Sequence, residues 1–197
     1  MTAQRATSLD AWFLTPQGRA VAQAWIEHLT TVQSSCTDLR GGLLLQIGAC
    51  GDNLWLTHLP YRRKFIIATD SPPQITAQPT QVSSLVKPLP FAEASADCIV
   101  APMTLETIPW SNHPLDEIDR ILKPMGYLLL LSVNVWSLWG LAMRLGGVSC
   151  FSALGGRGVS IYRLKRALIH RGYTIHCLEA FHYIPPVVGE KMIERLV

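Results

Sequence analysis

The sequence predicts an α/β fold, with a mostly parallel, twisted β-sheet and helices on both of its faces. Short apolar segments alternate with amphipathic helical segments along the 197 residues. The apolar segment Leu43–Ile47 runs directly into the small-residue turn Gly48–Asp52, and a second apolar segment, Phe65–Thr69, ends beside Asp70. A strand, a glycine turn, a helix and a second strand that ends at a carboxylate form the first half of a βαβ unit for a nucleotide-like ligand.

The region before the first strand is predicted to be helical. Thr15 is a suitable N-cap and Pro16 suits the first helical position, so we expect a helix over Thr15–Leu29. Residues 30–42 are polar and are expected to form a loop. After the glycine turn, Asn53–Leu59 is a short helical stretch.

The later elements follow the same alternation. Residues 71–81 contain three prolines, which excludes a regular helix there. The further predicted strands are Val82–Val86, Ala96–Ala101, Tyr127–Val133 and Tyr173–Phe181, and the further predicted helices are Asn112–Leu122 and Ser160–Arg171.

We expect one domain over residues 1–197. Residues 1–42 form an N-terminal helical cap, 43–133 a ligand-binding core, 134–159 a cover loop rich in glycine, and 160–197 a C-terminal helix and strand.

Composition excludes several classes of protein. With 49% hydrophobic and 16% charged residues the chain is not disordered, and its net charge of +3 is too small for a dedicated nucleic-acid binder. The five cysteines are widely spaced, which favours reduced thiols, a cytoplasmic location and no zinc site. The N-terminus has no signal-peptide pattern.

The uncharged stretch from Pro124 to Ala142 is interrupted by Gly126 and Asn134, so we expect a buried strand and an aromatic loop there instead of a membrane span.

Three segments resemble the class I S-adenosylmethionine-dependent methyltransferases, especially the small type 11 methyltransferase-domain group. They are LLQIGACGD at 44–52, PLPFAEASADCIVAPMTLE at 88–106 and LDEIDRILKPMGYLLLL at 115–131. The segment NVWSLWG at 134–140 resembles a bacterial subgroup with an Asn-Pro-x-Ser-Leu-Trp-Gly signature, in which Val135 here replaces the proline. The resemblance covers residues 15–185 and implies a Rossmann-like fold and methyl transfer to an acceptor that the sequence does not identify.

The resemblance also implies S-adenosylmethionine as cofactor. Gly48 matches the motif glycine beside the methionine part, and Asp70 matches the acid that accepts both ribose hydroxyls. Met103 matches a position at the methionine end. Ser84 and Leu85 fall near the positions that flank the adenine, and Gln46, Ala49 and Cys50 belong to the glycine motif. The predicted cofactor-binding residues are therefore Gln46, Gly48, Ala49, Cys50, Asp70, Ser84, Leu85 and Met103. No catalytic acid or base is predicted, because the protein's main task would be to align donor and acceptor.

Some positions depart from the family pattern. Gln46 replaces an acid, Cys50 and Asp52 replace glycines, and Gly51 is displaced by one position. No residues remain for the family's seventh strand, so we expect either that the sequence is truncated before it or that the sheet ends at six strands. These departures favour an alternative, a catalytically degenerate methyltransferase-like binding or scaffold protein. A nicotinamide-dependent oxidoreductase and a membrane-surface protein are further alternatives.

Other polar residues have structural and functional interpretations. We expect Asp97 to be structural, whereas Glu106 faces either the substrate or solvent. None of the six histidines pairs at helical metal-binding spacing, so no metal is expected. A basic group in or beside one helix is expected to be a solvated helix face or, alternatively, a dock for an anionic ligand. Its members are Arg157, Arg163, Lys165, Arg166 and Arg171. The exposed edge of a sixth strand would allow a homodimer.

Overall fold

A computed structural model describes residues 9–35, 41–48, 52–68, 80–83, 89–107, 114–144 and 159–180 of the protein. Within them lies a parallel five-stranded sheet with strand order β3-β2-β1-β4-β5. Its strands are β1 (Gly41–Ile47), β2 (Tyr61–Ala68), β3 (Thr80–Ser83), β4 (Ala96–Pro102) and β5 (Leu122–Leu131). The predicted α/β fold with a mostly parallel sheet is confirmed.

Helices cover both faces of this sheet. They are α1 (Leu9–Phe13), α2 (Pro16–Ser35), α3 (Thr104–Thr107), α4 (Pro114–Ile121), α5 (Leu138–Arg144) and α6 (Ile161–His170), with a 3₁₀ helix at Leu54–His58. On one face, Leu44 packs with Trp25 of α2 and with Trp55. On the other face, Leu45 packs with residues of α4 and α6. Successive residues of a strand point to opposite faces, so β1 contributes to both cores.

The strand order changes direction beside β1. The chain proceeds from β1 through β2 to β3 on one side, then returns to add β4 and β5 on the other side. Because all the pairings are parallel, the carboxyl ends of the strands meet at one edge of the sheet. Open α/β sheets bind ligands at such a switch point, here between the ends of β1 and β4.

The first long helix begins as predicted and extends further. The Gly18 amide donates to Thr15 Oγ1 over 3.2 Å, and Pro16 is the first helical residue. The loop predicted from residue 30 is wrong, because α2 continues to Ser35. Thr30 and Thr31 donate their hydroxyls back to the Glu27 carbonyl, which lets polar residues remain inside the helix.

The bounds of three strands also differ from the prediction. β2 begins at Tyr61 and its backbone pairs with β1 from that residue on. The exposed Arg62 and Arg63 interrupt the apolar pattern, so the sequence alone did not indicate this part of the strand. β3 is Thr80–Ser83, earlier than predicted. β5 begins at Leu122, which pairs with Ala96 before a bulge, and regular pairing then resumes at Tyr127.

The C-terminal part of the described chain departs most from the prediction. Residues 173–180 form no strand, so a sixth strand over these residues is wrong. Within the predicted cover, residues 138–144 form the helix α5. The helix α6 begins at Ile161 without a side-chain cap from Ser160 and stops before Gly172, whose φ is +88°.

Candidate functional site

A glycine turn ends the central strand at the switch point. Gly48 has a φ of +96°, a conformation that L side chains rarely adopt. Its amide donates to the Ile67 carbonyl of β2 over 2.8 Å, which fixes the turn to the neighbouring strand. Among the described residues, the nearest atom to a Cβ built on Gly48 is Thr104 Oγ1 at 3.9 Å. The backbone at Gly48 is therefore open to close approach by a ligand.

Gln46 holds the loop that follows this turn. Its side chain is completely buried. The Nε2 group donates to the Gly48 carbonyl over 2.7 Å and to Asn53 Oδ1 over 2.6 Å, while Oε1 accepts the Trp55 indole N–H over 2.7 Å. Both amide donors are occupied by protein, so Gln46 would act on a cofactor through the loop that it holds.

The end of β4 contributes a second strained position. Met103 has a φ of +50° and is buried, and its amide donates to the Leu131 carbonyl of β5 over 2.7 Å. The neighbouring Thr104 donates its hydroxyl to the Ile47 carbonyl over 2.6 Å. Thr104 therefore fastens the end of β4 to the end of β1. Non-glycine residues with positive φ are concentrated at functional sites.

Glu106 is buried, so the predicted orientation toward solvent is wrong. The residue is 4% exposed, and Oε1 accepts the Val133 amide over 2.6 Å. Burial raises the pKa of Glu106 to about 8, although the hydrogen bond from Val133 acts in the opposite direction. The residue ties α3 to the chain that leaves β5, and this position at the carboxyl end of the sheet makes it a structural support of the site.

The structure brings three of the predicted site residues to the ends of β1 and β4, namely Gln46, Gly48 and Met103. The other predicted residues lie outside the described residues: Ala49, Cys50, Asp70, Ser84 and Leu85. Thr104, Asn53 and Trp55 were missed from the sequence. A polar residue directly after a buried strand was the available signal for Thr104, whereas nothing in the local pattern pairs Asn53 or Trp55 with Gln46.

A separate cavity of about 1260 Å³ lies away from this turn. Its lining includes β5 residues 127–131 and residues 171–179. Neither Gln46 nor Gly48 lines it. The cavity thus lies beside β5, the edge strand of the sheet within the described ranges.

The remaining charged candidates have protein partners or face solvent. Asp97 accepts the amides of Gly42 and Leu43 and the Lys123 ammonium, which confirms its structural role. Arg171 pairs with Asp116 and Asp119 of α4. Arg163, Lys165 and Arg166 of α6 are exposed.

Two further properties hold for the described ranges. They contain no group of three or more His, Cys, Asp or Glu residues arranged to hold a metal ion. Of their helices, none has the length and apolar character needed to cross a membrane.

Comparison with known proteins supports the same architecture. A family described as a methyltransferase domain matches residues 45–130. The methyltransferase in a complex with the Haloferax volcanii Trm112 methyltransferase activator superposes with a TM-score of 0.60 at 18% identity, covering 87% of this chain and 77% of that one. No match to a curated protein was found.

Two bacterial structures are similar over less of the chain. A Thermotoga maritima SAM-dependent methyltransferase, described as a possible histamine N-methyltransferase, has a TM-score of 0.55 at 20% identity, with 75% of this chain and 71% of that one covered. The YcgJ protein from Bacillus subtilis has a TM-score of 0.53 at 14% identity, with 74% and 68% covered. The resemblance inferred from the sequence is confirmed: this chain has the Rossmann-like fold of the S-adenosylmethionine-dependent methyltransferases, and its residues 45–130 match their methyltransferase domain.

Proposed function

We propose that the protein is an S-adenosylmethionine-dependent methyltransferase that acts on an acceptor still to be identified. The observation that supports this most is the open backbone of Gly48 at the switch point between β1 and β4, inside the segment that matches the methyltransferase domain. Ligands of open parallel sheets bind at this place.

The residues at that site fit the cofactor. Space above Gly48 admits a ligand close to the backbone, and Gln46 holds the loop in which Ala49 and Cys50 follow. Asp70 stands two residues beyond the end of β2, where a carboxylate can accept two hydrogen bonds from a ribose diol. When bound, the cofactor supplies an electrophilic methyl group on a sulfonium. The protein's part is to align the acceptor and exclude water, while Ser84, Leu85 and Met103 complete the proposed pocket.

Two glycine substitutions test this proposal. Gly48 and Gly172 both have positive φ, +96° and +88°, and an added Cβ meets nothing closer than 3.9 Å at the first and nothing within 4 Å at the second. Gly48→Ala and Gly172→Ala therefore impose a similar backbone strain, about 1–3 kcal/mol. We expect both to lower stability, but only Gly48→Ala to weaken binding of S-adenosylmethionine and S-adenosylhomocysteine in calorimetry.

Asp70→Asn provides a second test, because the amide keeps the shape but can accept fewer hydrogen bonds from the ribose. We expect weaker cofactor binding with little change in unfolding. If neither ligand binds the unmodified protein at millimolar concentration, methyl transfer is excluded and the scaffold alternative stands. In a separate titration with NADH, a change in the fluorescence of NADH on adding the protein would favour the oxidoreductase alternative.

Association and location complete the proposal. β5 is paired by β4 on one side, and no described residue pairs with its other edge. We propose a homodimer that covers this edge, since an unpaired strand edge is a template for another chain. Cys98, in the buried part of β4, is a reduced thiol, which is consistent with a cytoplasmic location.

A further inference from the structure

An exposed group of aromatic and aliphatic side chains lies at the carboxyl end of the sheet. Trp136 is 82% exposed, although Trp139, three residues later, is buried against Trp12. Leu138 and Leu141 of α5 are 59% and 50% exposed. Large apolar side chains that remain this accessible next to one another indicate an interaction surface.

The local backbone holds Trp136 in this position. Its amide donates to Asn134 Oδ1 over 3.1 Å, and the amide of Ser137 donates to the Asn134 carbonyl over 3.0 Å. The Ser137 hydroxyl in turn accepts the Gly140 amide of α5 over 3.1 Å. Trp136 thus stands at the tip of a hydrogen-bonded turn, and the turn favours keeping the indole outside the core.

The start of α6 lies beside this turn. Asn134 and Val159 form a parallel bridge, in which the Val159 amide donates to the Val133 carbonyl over 3.0 Å. Trp136 follows Asn134 by two residues, and Ile161 follows Val159 by two residues. Both segments therefore continue beyond the sheet from the same bridge. Ile161 is 39% exposed and Tyr162 is 72% exposed.

The outer face of α6 is basic as well as apolar. Leu164 is buried against the core, whereas Tyr162, Arg166 and Ile169 share the opposite face at helical spacing. Lys165 and Arg163 are also exposed, and Ile161–His170 contains no acidic residue. α5 and α6 pack on opposite faces of the sheet, through Trp139 and Leu164, and their segments meet at the Asn134–Val159 bridge. Exposed tryptophan, tyrosine and aliphatic side chains therefore flank this bridge on both sides, with three exposed cations on α6.

We propose that this surface, formed by residues 136–141 of the α5 region and by the outer face of α6, docks on an anionic lipid bilayer. Tryptophan and tyrosine are favoured at membrane–water interfaces, and lysine and arginine on the same surface are attracted to anionic headgroups. Aliphatic side chains would gain nothing from stacking on a nucleotide, so Leu138, Leu141 and Ile169 favour a bilayer over a nucleic acid. This inference goes beyond the proposed function, and a docked chain would present the carboxyl end of its sheet to the bilayer.

Sedimentation with vesicles tests the proposal without any cofactor. The purified chain is mixed with vesicles of phosphatidylcholine alone or of equal parts phosphatidylcholine and phosphatidylglycerol. We expect binding to the mixed vesicles that weakens with added salt. Lys165→Gln with Arg166→Gln should lower affinity about 25-fold, since each cation near an anionic surface contributes about fivefold. Trp136→Ser with Leu141→Gln should lower it about tenfold through lost apolar insertion.

The matched controls lie at the amino end of the sheet. Arg62→Gln with Arg63→Gln removes the same charge from exposed positions near the start of β2, and Met125→Gln removes a 97% exposed apolar side chain near the start of β5. Both controls should bind like the unmodified chain. Failure of the unmodified chain to sediment with mixed vesicles overturns the proposal, as does equal loss in controls and patch variants. If the patch variants instead lose binding to polyuridylate and no vesicles are bound, the surface is a nucleic-acid site.

Discussion

At the level of single residues, Gln46 shows how a departure from the family pattern is accommodated. The amide satisfies two acceptors and one donor within the fold, a combination that a carboxylate cannot provide because it has no N–H group. The glutamine that replaces the expected acid therefore has a structural role of its own in this loop. Its presence does not by itself indicate a degenerate site.

Gln46→Glu should consequently loosen the loop. The new carboxylate keeps the Trp55 donor but faces the Gly48 carbonyl and Asn53 without a donor of its own, at a cost of about 1–3 kcal/mol in unfolding free energy. The loss should shrink in acid, where a protonated carboxyl can donate one hydrogen bond. Urea unfolding at several pH values measures this. Gln23→Glu also removes an amide donor, in this case one to Glu27 on the exposed face of α2, where the cost should be only about 0.2–0.5 kcal/mol. Equal losses at both positions would refute the role of Gln46.

Glu106 makes a prediction about pH. Burial raises its pKa from 4.5 to about 8 in the folded chain, so the folded state holds the proton more tightly than the unfolded state. The free energy of unfolding therefore contains a contribution that decreases as pH rises from about 4.5 to 8, on the order of a few kcal/mol in total.

Glu106→Gln should remove this contribution, because the amide stays neutral and its Oε1 can still accept the Val133 N–H. The difference in stability between variant and unmodified protein should grow in favour of the variant as pH rises through this range. The exposed Glu93→Gln should show no such trend. A constant difference across the range would show that Glu106 is ionised in the fold.

At the level of elements, Asp97 joins the amino ends of three strands. From β4, its carboxylate accepts two amides of β1 and the Lys123 ammonium of β5. Burial alone would raise the pKa of Asp97, but Lys123 and the two amides outweigh it and hold the pKa below 3.8. A depressed pKa contributes stability above the unfolded value, and this stability is lost as pH falls through it.

Asp97→Asn should lower the unfolding free energy by about 1–3 kcal/mol at neutral pH, and the difference should decrease below about pH 4. Asp116→Asn is a suitable comparison, because Asp116 pairs with Arg171 on the surface, where an ion pair contributes about 0–1 kcal/mol. Thermal and urea unfolding would measure both variants. Equal losses would mean that Asp97 does not hold the strands together.

The sequence predicted the elements where one physical signal dominated. The Thr15 cap, the parallel sheet and the glycine turn after β1 each rest on a local pattern, and the structure has all three. The sequence pattern did not predict features that depend on contacts between residues far apart in the chain. A strand beginning at Tyr61 with two arginines needs β1 beside it, and the Gln46 network needs Asn53 and Trp55 brought back by a turn.

At the level of the whole molecule, the sheet is buried unevenly. The central residues of β4 are fully buried, whereas the apolar run Tyr127–Leu130 of β5 is half-buried. The predicted sixth strand would have covered this edge, yet residues 173–179 line the far side of a cavity of about 1260 Å³. Apolar side chains beside an unpaired strand edge favour association with another copy of the chain.

The proposed dimer can be weakened at that far wall. Leu178 lines the cavity and is 55% exposed, so Leu178→Lys should leave the monomer stable while placing a charge where the partner would pack. Leu14→Lys, at a 46% exposed position outside the cavity, is the matched control. Sedimentation velocity over a range of concentrations should show a dimer for the unmodified protein and the control, and mainly monomer for Leu178→Lys. A monomer at every concentration of the unmodified protein would exclude the dimer. An unchanged dimer in Leu178→Lys would place the contact away from the cavity beside β5.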